Sequence, residues 1–465
     1  MPYPDLRAFL QRLEREGELL RVEPEVDLMY ELGAICRLAL DRGGEERNRA
    51  LYFSRLKGSS YPLVVNLLAT RKRYCLALEC DPENVHREWI RRTEKPIPPE
   101  IVKDGACKEV VRVGKDVNLF ELPIPWWNKL DGGRYITFPC YISKDTETGI
   151  RNAGMYRTMV HDERTVGLLA APYRHIRHHF EKAHARGNAF PVAIAIGLDP
   201  AVYIATVAPF PFGVDEIAMA GALRGAPVQM VPCETIPLEV PASAEVVLEG
   251  EIPPGVMRDE GPFGEFTGYY GERAARPVIQ IKAITHRKNL IFQASYEGLP
   301  HHETCVVSGI SNEAELLRQL PLPGVQKIHY TSGGGGYLNA VVSIKKAYDG
   351  YGKMVGLAAL GTTAGRTLKM VTVVDDDIDP NDIAQVNWAV TTRVRVDRDL
   401  EIIKDVSANI LDPTMTHHEK SLGSRTDKLI IDATKPMLEP LQPECRPDPE
   451  TMERVRHNRQ KYGIE

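Results

Sequence analysis

Two carboxylates, Glu260 and Glu265, bracket the segment Gly261-Pro262-Phe263-Gly264. Proline has no N–H and glycine weakens regular structure, so a stiff turn is expected there, not helix or mid-strand. Such a turn can hold two acids in one pocket. Beside a cation their pKa values would separate, leaving one ionised to orient and one able to give a proton. The competing expectation is a surface turn with two solvated acids. A cation is available in Arg157, on a β-type run where Asn152, Gly154 and Tyr156 face one way and Ala153, Met155 and Arg157 the other. Its planar fork suits a substrate carboxylate and would lower the pKa of an acidic neighbour. An ordinary surface ion pair would use the same residue.

The run His175-Ile176-Arg177-His178-His179, with His184, sets His175 and His179 one helical turn apart, superficially like paired zinc ligands, but the HExxH signature is absent. A histidine with a distant glutamate and an amide instead suits a hard or borderline ion such as Mn2+. Glu216, opening a helix after Pro209-Phe210-Pro211-Phe212-Gly213, is such a glutamate, or simply an acid favoured by the helix dipole. Gly333 to Gly336 lacks both the Lys-Ser/Thr of a P-loop and GxGxxG spacing, and reads as a flexible loop or lid. Asp375-Asp376-Asp377 reads as a strand-to-helix turn with Asp379 near the N-cap. His301-His302 and His417-His418 are candidate contacts for a ring hydroxyl or second polar group on a substrate, or solvated loop pairs.

Three stretches of different texture must position these residues. Leu6, Phe9, Leu10 and Leu13 mark a helix ending at Gly17, and a second runs from Tyr30 to Leu40 before Gly43-Gly44. Strands at Ala50 to Phe53 and Tyr61 to Leu67 and a helix from Pro82 to Arg92 complete a mixed α/β part up to the seam Pro96-Ile97-Pro98-Pro99. From about Cys107 short β-type runs dominate, at Tyr135 to Ser143, Ala153 to Val160, Pro191 to Leu198 and Val202 to Val207. A hairpin is expected between Val278 to Ile284 and Leu290 to Ser295, and helices at His175 to Arg186 and Asp215 to Leu223. After about Thr304 helices and strands alternate, with elements at Glu313 to Leu320, Lys327 to Thr331, Leu338 to Lys345, Lys369 to Val374 and Ile383 to Val390. A proline-rich stretch from Pro436 then leads to a charged terminal helix, Glu450 to Tyr462. The expected fold is therefore α+β, with an α/β domain over 1–106, a strand-rich domain over 107–303 and an α/β domain over 304–465.

Bulk composition narrows the function classes. A chain of 465 residues exceeds one ordinary core, and 43% hydrophobic with 26% charged residues is normal for a globular protein. A net charge of -5 and short basic runs such as Arg71-Lys72-Arg73 and Arg91-Arg92, read as solvated faces, give no nucleic-acid footprint. No apolar run approaches the roughly 20 residues that span a bilayer. The first twenty residues have neither signal-peptide nor transit-peptide character, so a cytoplasmic location is expected. Eight scattered cysteines without a CxxC pair read as reduced thiols.

In order and spacing these stretches resemble the UbiD family of prenylated-flavin decarboxylases, from Leu6 to about Lys435. The resemblance rests on an Asn five positions before an Arg, then a His, a Glu, and two acids around Gly-Pro-Phe-Gly, supplied here by Asn152, Arg157, His175, Glu216, Glu260 and Glu265. It implies a central split β-barrel holding prenylated FMN (prFMN). Asn152, His175 and Glu216 would ligate Mn2+ or Mg2+ at the cofactor phosphate, with K+ beside it. Gly154, Met155, Arg157, Arg174, Val207, Ala208 and Pro209 would complete the cofactor site. It further implies non-oxidative decarboxylation of an aromatic, heteroaromatic or α,β-unsaturated acid through a covalent cofactor adduct, reversible at high CO2. Glu265 would be the proton donor, Arg157 would hold the acid and the cofactor, and Glu260 would orient Arg157. Implied partners are a flavin prenyltransferase as cofactor supplier and further copies of the chain, as a homodimer or homohexamer. Thr206-Val207-Ala208 and Gly154 depart from the serines many relatives carry, and Lys369 is a weak candidate to counter the phosphate. Two alternatives stand beside this reading: a metal-dependent hydrolase built on the histidine cluster, and a non-catalytic subunit of the same fold.

Overall fold

The computed structural model describes residues 3–41, 48–421 and 423–464, so the expected Gly43-Gly44 turn and the side chain of His417 lie outside the described residues. The centre is a ten-stranded antiparallel sheet. Its main path runs Tyr135–Ile136, Thr158–Asp162, Thr165–Leu168, Ala274–His286, Val246–Ile252, Phe190–Ile196, Cys140–Lys144 and Arg151–Gly154, and the ladder does not close into a full barrel among the described residues. The strand Phe190–Ile196 shows why the sequence builds it. Val192, Ile194 and Ile196 enter one core while Ala193 and Ala195 enter another, so both faces are buried and the run is continuously apolar.

A four-stranded sheet in the N-terminal part and a five-stranded mixed sheet in the C-terminal part flank this centre. The first contains Leu19–Val22, Ala50–Phe53, Leu63–Val65 and Phe292–Ala294; the second is ordered Val325–Tyr330, Asn339–Ile344, Met370–Asp375, Arg425–Ala433, Leu400–Ser407. The architecture is mixed α+β, as expected. Among the described residues no helix is long and apolar enough to cross a membrane.

Several expected elements change. Residues Val202 to Val207, expected as a strand, belong to the helix Pro200–Val207. Asp199 accepts the Ala201 N–H (2.9 Å) and Pro200 occupies the first turn, and these start signals outweigh the β-branched residues. The helix is buried almost all round, which erases the period that would reveal it. The expected hairpin also fails, because Phe292–Ala294 pairs in parallel with Leu63–Val65, not with Ala274–His286. Buried Glu245 redirects the chain there by accepting Arg287 Nη1 (3.0 Å), the Ile291 N–H (3.0 Å) and Arg7 Nε (2.7 Å). The expected runs Tyr135 to Ser143 and Ala153 to Val160 each split into two strands.

Charged segments were the hardest to place. Arg71-Lys72-Arg73 opens a helix, Arg71–Leu78, in which Arg73 is completely buried. Its guanidinium donates to Glu18 (3.1 Å), to the Asn48 carbonyl (2.9 Å) and side chain (2.8 Å), and to the Asn66 carbonyl (3.0 Å). The cap of Ile383–Arg393 is Asp382, not Asp379, while Asp375 and Asp377 hold the buried Arg393. The Gly333 to Gly336 run packs closely at its later positions. A Cβ at Gly335 would lie 2.3 Å from the Phe266 ring, and one at Gly336 2.4 Å from the Cys305 carbonyl oxygen.

Candidate active site

The strand Met257–Glu260 pairs with Ala274–His286 and delivers Glu260 into the sheet interior, where it is completely buried. Arg157 lies between the strands Arg151–Gly154 and Thr158–Asp162 and grips Glu260 at both oxygens, Nε to Oε1 at 3.0 Å and Nη2 to Oε2 at 2.6 Å. Its remaining terminal nitrogen, Nη1, donates to Glu265 Oε1. Tyr135 adds its hydroxyl to Glu260 at 3.0 Å. The bracketed turn is therefore a buried clamp, and the solvated surface turn is excluded. Asp131 fixes it by accepting the N–H groups of Gly264 (2.9 Å) and Asn128 (2.8 Å), although burial pushes its own carboxyl up to about 6.

Close packing surrounds this clamp. The Phe263 ring lies 5.5 Å from the Arg157 guanidinium carbon and 4.3 Å from the Tyr135 ring. A Cβ on Gly271 would fall 2.6 Å from Arg157 Nη1 and 2.9 Å from Glu265 Oε1, so only glycine admits the ion pair. Two acids sharing one guanidinium carry net negative charge when both are ionised, and a proton on one of them relieves it. Glu265 lines an open cleft and Glu260 does not. Glu265 is thus the acid of the pair that a ligand in the cleft would meet.

A second constellation sits at the helix starts. His175 and Glu216 are the first residues of the helices His175–Ala185 and Glu216–Arg224, with His175 Nδ1 3.5 Å from Glu216 Oε1. Asp215 caps the second helix and Gly225 ends it in the left-handed region (φ 75°). Burial raises the Glu216 carboxyl, opposed by His175 and by the Ala153 N–H, which donates to Oε2 at 2.8 Å. Asn152 is buried on the neighbouring strand, and its amide nitrogen has no hydrogen-bond partner. An amide, an imidazole and a carboxylate so placed fit a divalent ion with mixed oxygen and nitrogen donors. Among the described residues no three His, Cys, Asp or Glu side chains form a metal-binding group, so the set reaches three only through the Asn152 amide. His179 faces elsewhere, its Nδ1 3.3 Å from Ser143 Oγ and its Nε2 3.8 Å from Asp145, and burial pushes it down to about 4.

Of the remaining expected residues, Met155, Arg174 and Val207 line the same cleft as Arg157 and Glu265. Ala208 and Pro209 are not among its walls. Gly154 lies behind Tyr156, where a Cβ would meet the Tyr156 hydroxyl at 2.5 Å. Lys369 is committed to Asp412 (2.9 Å) and Thr414 (2.5 Å). Neither expected histidine pair lines the cleft among the described residues. His301 lies against the Ala69 carbonyl (2.9 Å), and His302 is completely buried. Sequence reasoning missed Glu297, Thr304, Phe266, Tyr337 and Tyr173, which do line it. They come from loops and from the C-terminal part, where no local pattern marks them.

Comparison with known proteins adds the family. The sequence matches the UbiD 3-octaprenyl-4-hydroxybenzoate carboxy-lyase Rift-related domain over residues 100–300, with the corresponding N-terminal domain over 10–93 and C-terminal domain over 305–433. The chain belongs to the UbiD family. It is 36% identical over 454 residues to a phenolic acid decarboxylase of Bacillus subtilis (strain 168), covering 94% of this chain and 93% of that protein. Among solved structures, the vanillic acid decarboxylase of Sedimentibacter hydroxybenzoicus in its closed form superposes with a TM-score of 0.89 at 35% identity over 100% of both chains. The UbiD-class enzyme HmfF from Pelotomaculum thermopropionicum, solved in complex with FMN, gives 0.87 at 37% identity over 97% and 98%. UbiD membership makes this chain a carboxy-lyase and accounts for the open, split character of its central sheet.

Proposed function

We propose that this chain is a prenylated-FMN-dependent decarboxylase of an aromatic or α,β-unsaturated carboxylic acid. The observation that carries the reading is the buried Glu260–Arg157–Glu265 chain, whose outer acid opens onto a cleft walled by Phe263, Phe266, Tyr173 and Tyr337. The relatives that decarboxylate phenolic acids, and the neighbour solved with FMN, support it.

When bound, the prenylated flavin would supply an electron sink for the bonding pair that CO2 leaves behind. Met155, Arg174 and Val207 would wall that group. Asn152, through its amide oxygen, would join His175 and Glu216, 3.5 Å apart, in holding a Mn2+ or Mg2+ ion for its phosphate, with K+ beside it. Arg157 anchors the acid while Glu260, gripping two of its nitrogens, keeps the guanidinium plane fixed. Glu265 then delivers a proton to the carbon that has lost CO2. The same residues serve carboxylation when CO2 is abundant, by microscopic reversibility.

The test is co-expression with a flavin prenyltransferase and measurement of CO2 release from a panel of aromatic, heteroaromatic and cinnamic acids. Wild type should release CO2 from at least one. Glu265→Gln should lower turnover by about a hundredfold or more with an unchanged circular dichroism spectrum. A fully active Glu265→Gln, or a wild type that carries the flavin yet turns over no acid, would overturn the reading. Against the hydrolase alternative, no three His, Cys, Asp or Glu side chains gather to hold a metal among the described residues, and a non-catalytic subunit would have no need of the clamp.

A further inference from the structure

Glu297 lies between the strand Phe292–Ala294 and the helix Glu303–Gln319 and lines the same cleft as Arg157 and Glu265. No arginine or lysine pairs with it among the described residues. Ser295 Oγ donates to its Oε1 at 3.3 Å, and the Thr304 hydroxyl, also on the cleft wall, donates to the same oxygen. Behind it, His302 Nδ1 is 3.4 Å from Oε2. Burial with no cation to oppose it pushes the Glu297 carboxyl up to about 7.

His302 Nε2 is 3.3 Å from the Phe266 carbonyl oxygen, which only accepts, so that nitrogen carries a proton. Its Nδ1, buried without a hydrogen-bond partner, and Glu297 Oε2 face each other at 3.4 Å. Thr304 has given its proton to Oε1. With Ser295 and Thr304 both donating to Oε1, Glu297 and Thr304 present oxygen lone pairs to an incoming ligand.

We infer that Glu297 and Thr304, backed by His302, form a specificity site that accepts a hydrogen bond from a ring hydroxyl of the substrate and turns away acids bearing a second carboxylate. A phenol edge brings a donor to these lone pairs. A second carboxylate brings only acceptors and negative charge to a cleft that already holds Glu265 and Glu297, where the lining cations are Arg157, held by Glu260 and Glu265, and Arg174, which would wall the cofactor. The aromatic sides, with Phe266 and Tyr337 ring centres 5.0 Å apart, suit the flat body of such a molecule. The inference rests on the decarboxylase reading above and names the substrate class within it.

The test compares kcat/KM of the holoenzyme, purified after co-expression with the prenyltransferase, on hydroxybenzoates, benzoate and the benzene dicarboxylates. Wild type should favour a hydroxybenzoate over benzoate by about tenfold or more and leave dicarboxylates untouched. Glu297→Gln should erase most of that preference, chiefly through KM. Thr304→Val, a milder change, should erode it in the same direction. A hydroxyl preference unchanged in both variants, or ready turnover of a dicarboxylate by wild type, overturns the specificity site while leaving the decarboxylase reading intact. A wild type that releases CO2 from no acid overturns both.

Discussion

Arg157 divides three nitrogens between two acids, a geometry lysine cannot copy because an ammonium is a single point of charge. Arg157→Lys is therefore expected to keep the local charge yet lower kcat/KM by about a hundredfold, measured by CO2 release on the best acid found. Asn152, Arg157, His175, Glu216, Glu260 and Glu265 could be proposed from sequence because their order and spacing resemble those of the UbiD family, and the fold brings Arg157, Glu260 and Glu265 together and sets His175 beside Glu216. Glu297 and Asp131 could not be, since an isolated acid looks the same in sequence whether it is solvated or buried. Gly271 was equally silent, as nothing local announces that a guanidinium will pass within reach of its α-carbon. Arg73 misled for the opposite reason: three consecutive basic residues suggest a wet face, and a helix start turned the third inward.

Elements are tied together by the same buried charges. Glu313, in the helix Glu303–Gln319, accepts Arg71 Nη2 (2.7 Å), His86 Nε2 (2.8 Å), His329 Nδ1 (2.8 Å) and the Tyr330 N–H (3.0 Å), joining two helices of the N-terminal part to a strand of the C-terminal sheet. Burial alone would raise its pKa, but Arg71, His329 and His86 outweigh it and hold the carboxyl well below the ordinary range. A depressed folded pKa means that this contribution is complete above the unfolded value of about 4.3 and drains away as pH falls below it. The urea midpoint of wild type should thus drop between about pH 5 and about pH 3, and Glu313→Gln should start lower and drop less steeply. Gly336 makes a second element-scale prediction. Its φ is 73° and its Cα faces the Cys305 carbonyl, so Gly336→Ala should cost about 1 to 3 kcal/mol and displace neighbouring Tyr337 from the cleft, read as a lowered midpoint together with a raised KM. Strands with a clear apolar run, such as Ala50–Phe53, were readable to the residue, whereas the helix Pro200–Val207 was hidden by burial on every side.

At the scale of the molecule, three differently textured stretches were visible in sequence, but not how they interlace. Ala274–His286 serves the central sheet, and six residues later the chain supplies an N-terminal sheet with its fourth strand. That strand lies more than two hundred residues downstream of its partner Leu63–Val65. During synthesis the opening sheet must wait, one rim unsatisfied, until most of the central stretch has left the ribosome. A gene fragment covering residues 1–106 should accordingly yield aggregated or self-paired material, and supplying a peptide that spans residues 289–297 should improve its recovery, scored by sedimentation of the soluble fraction.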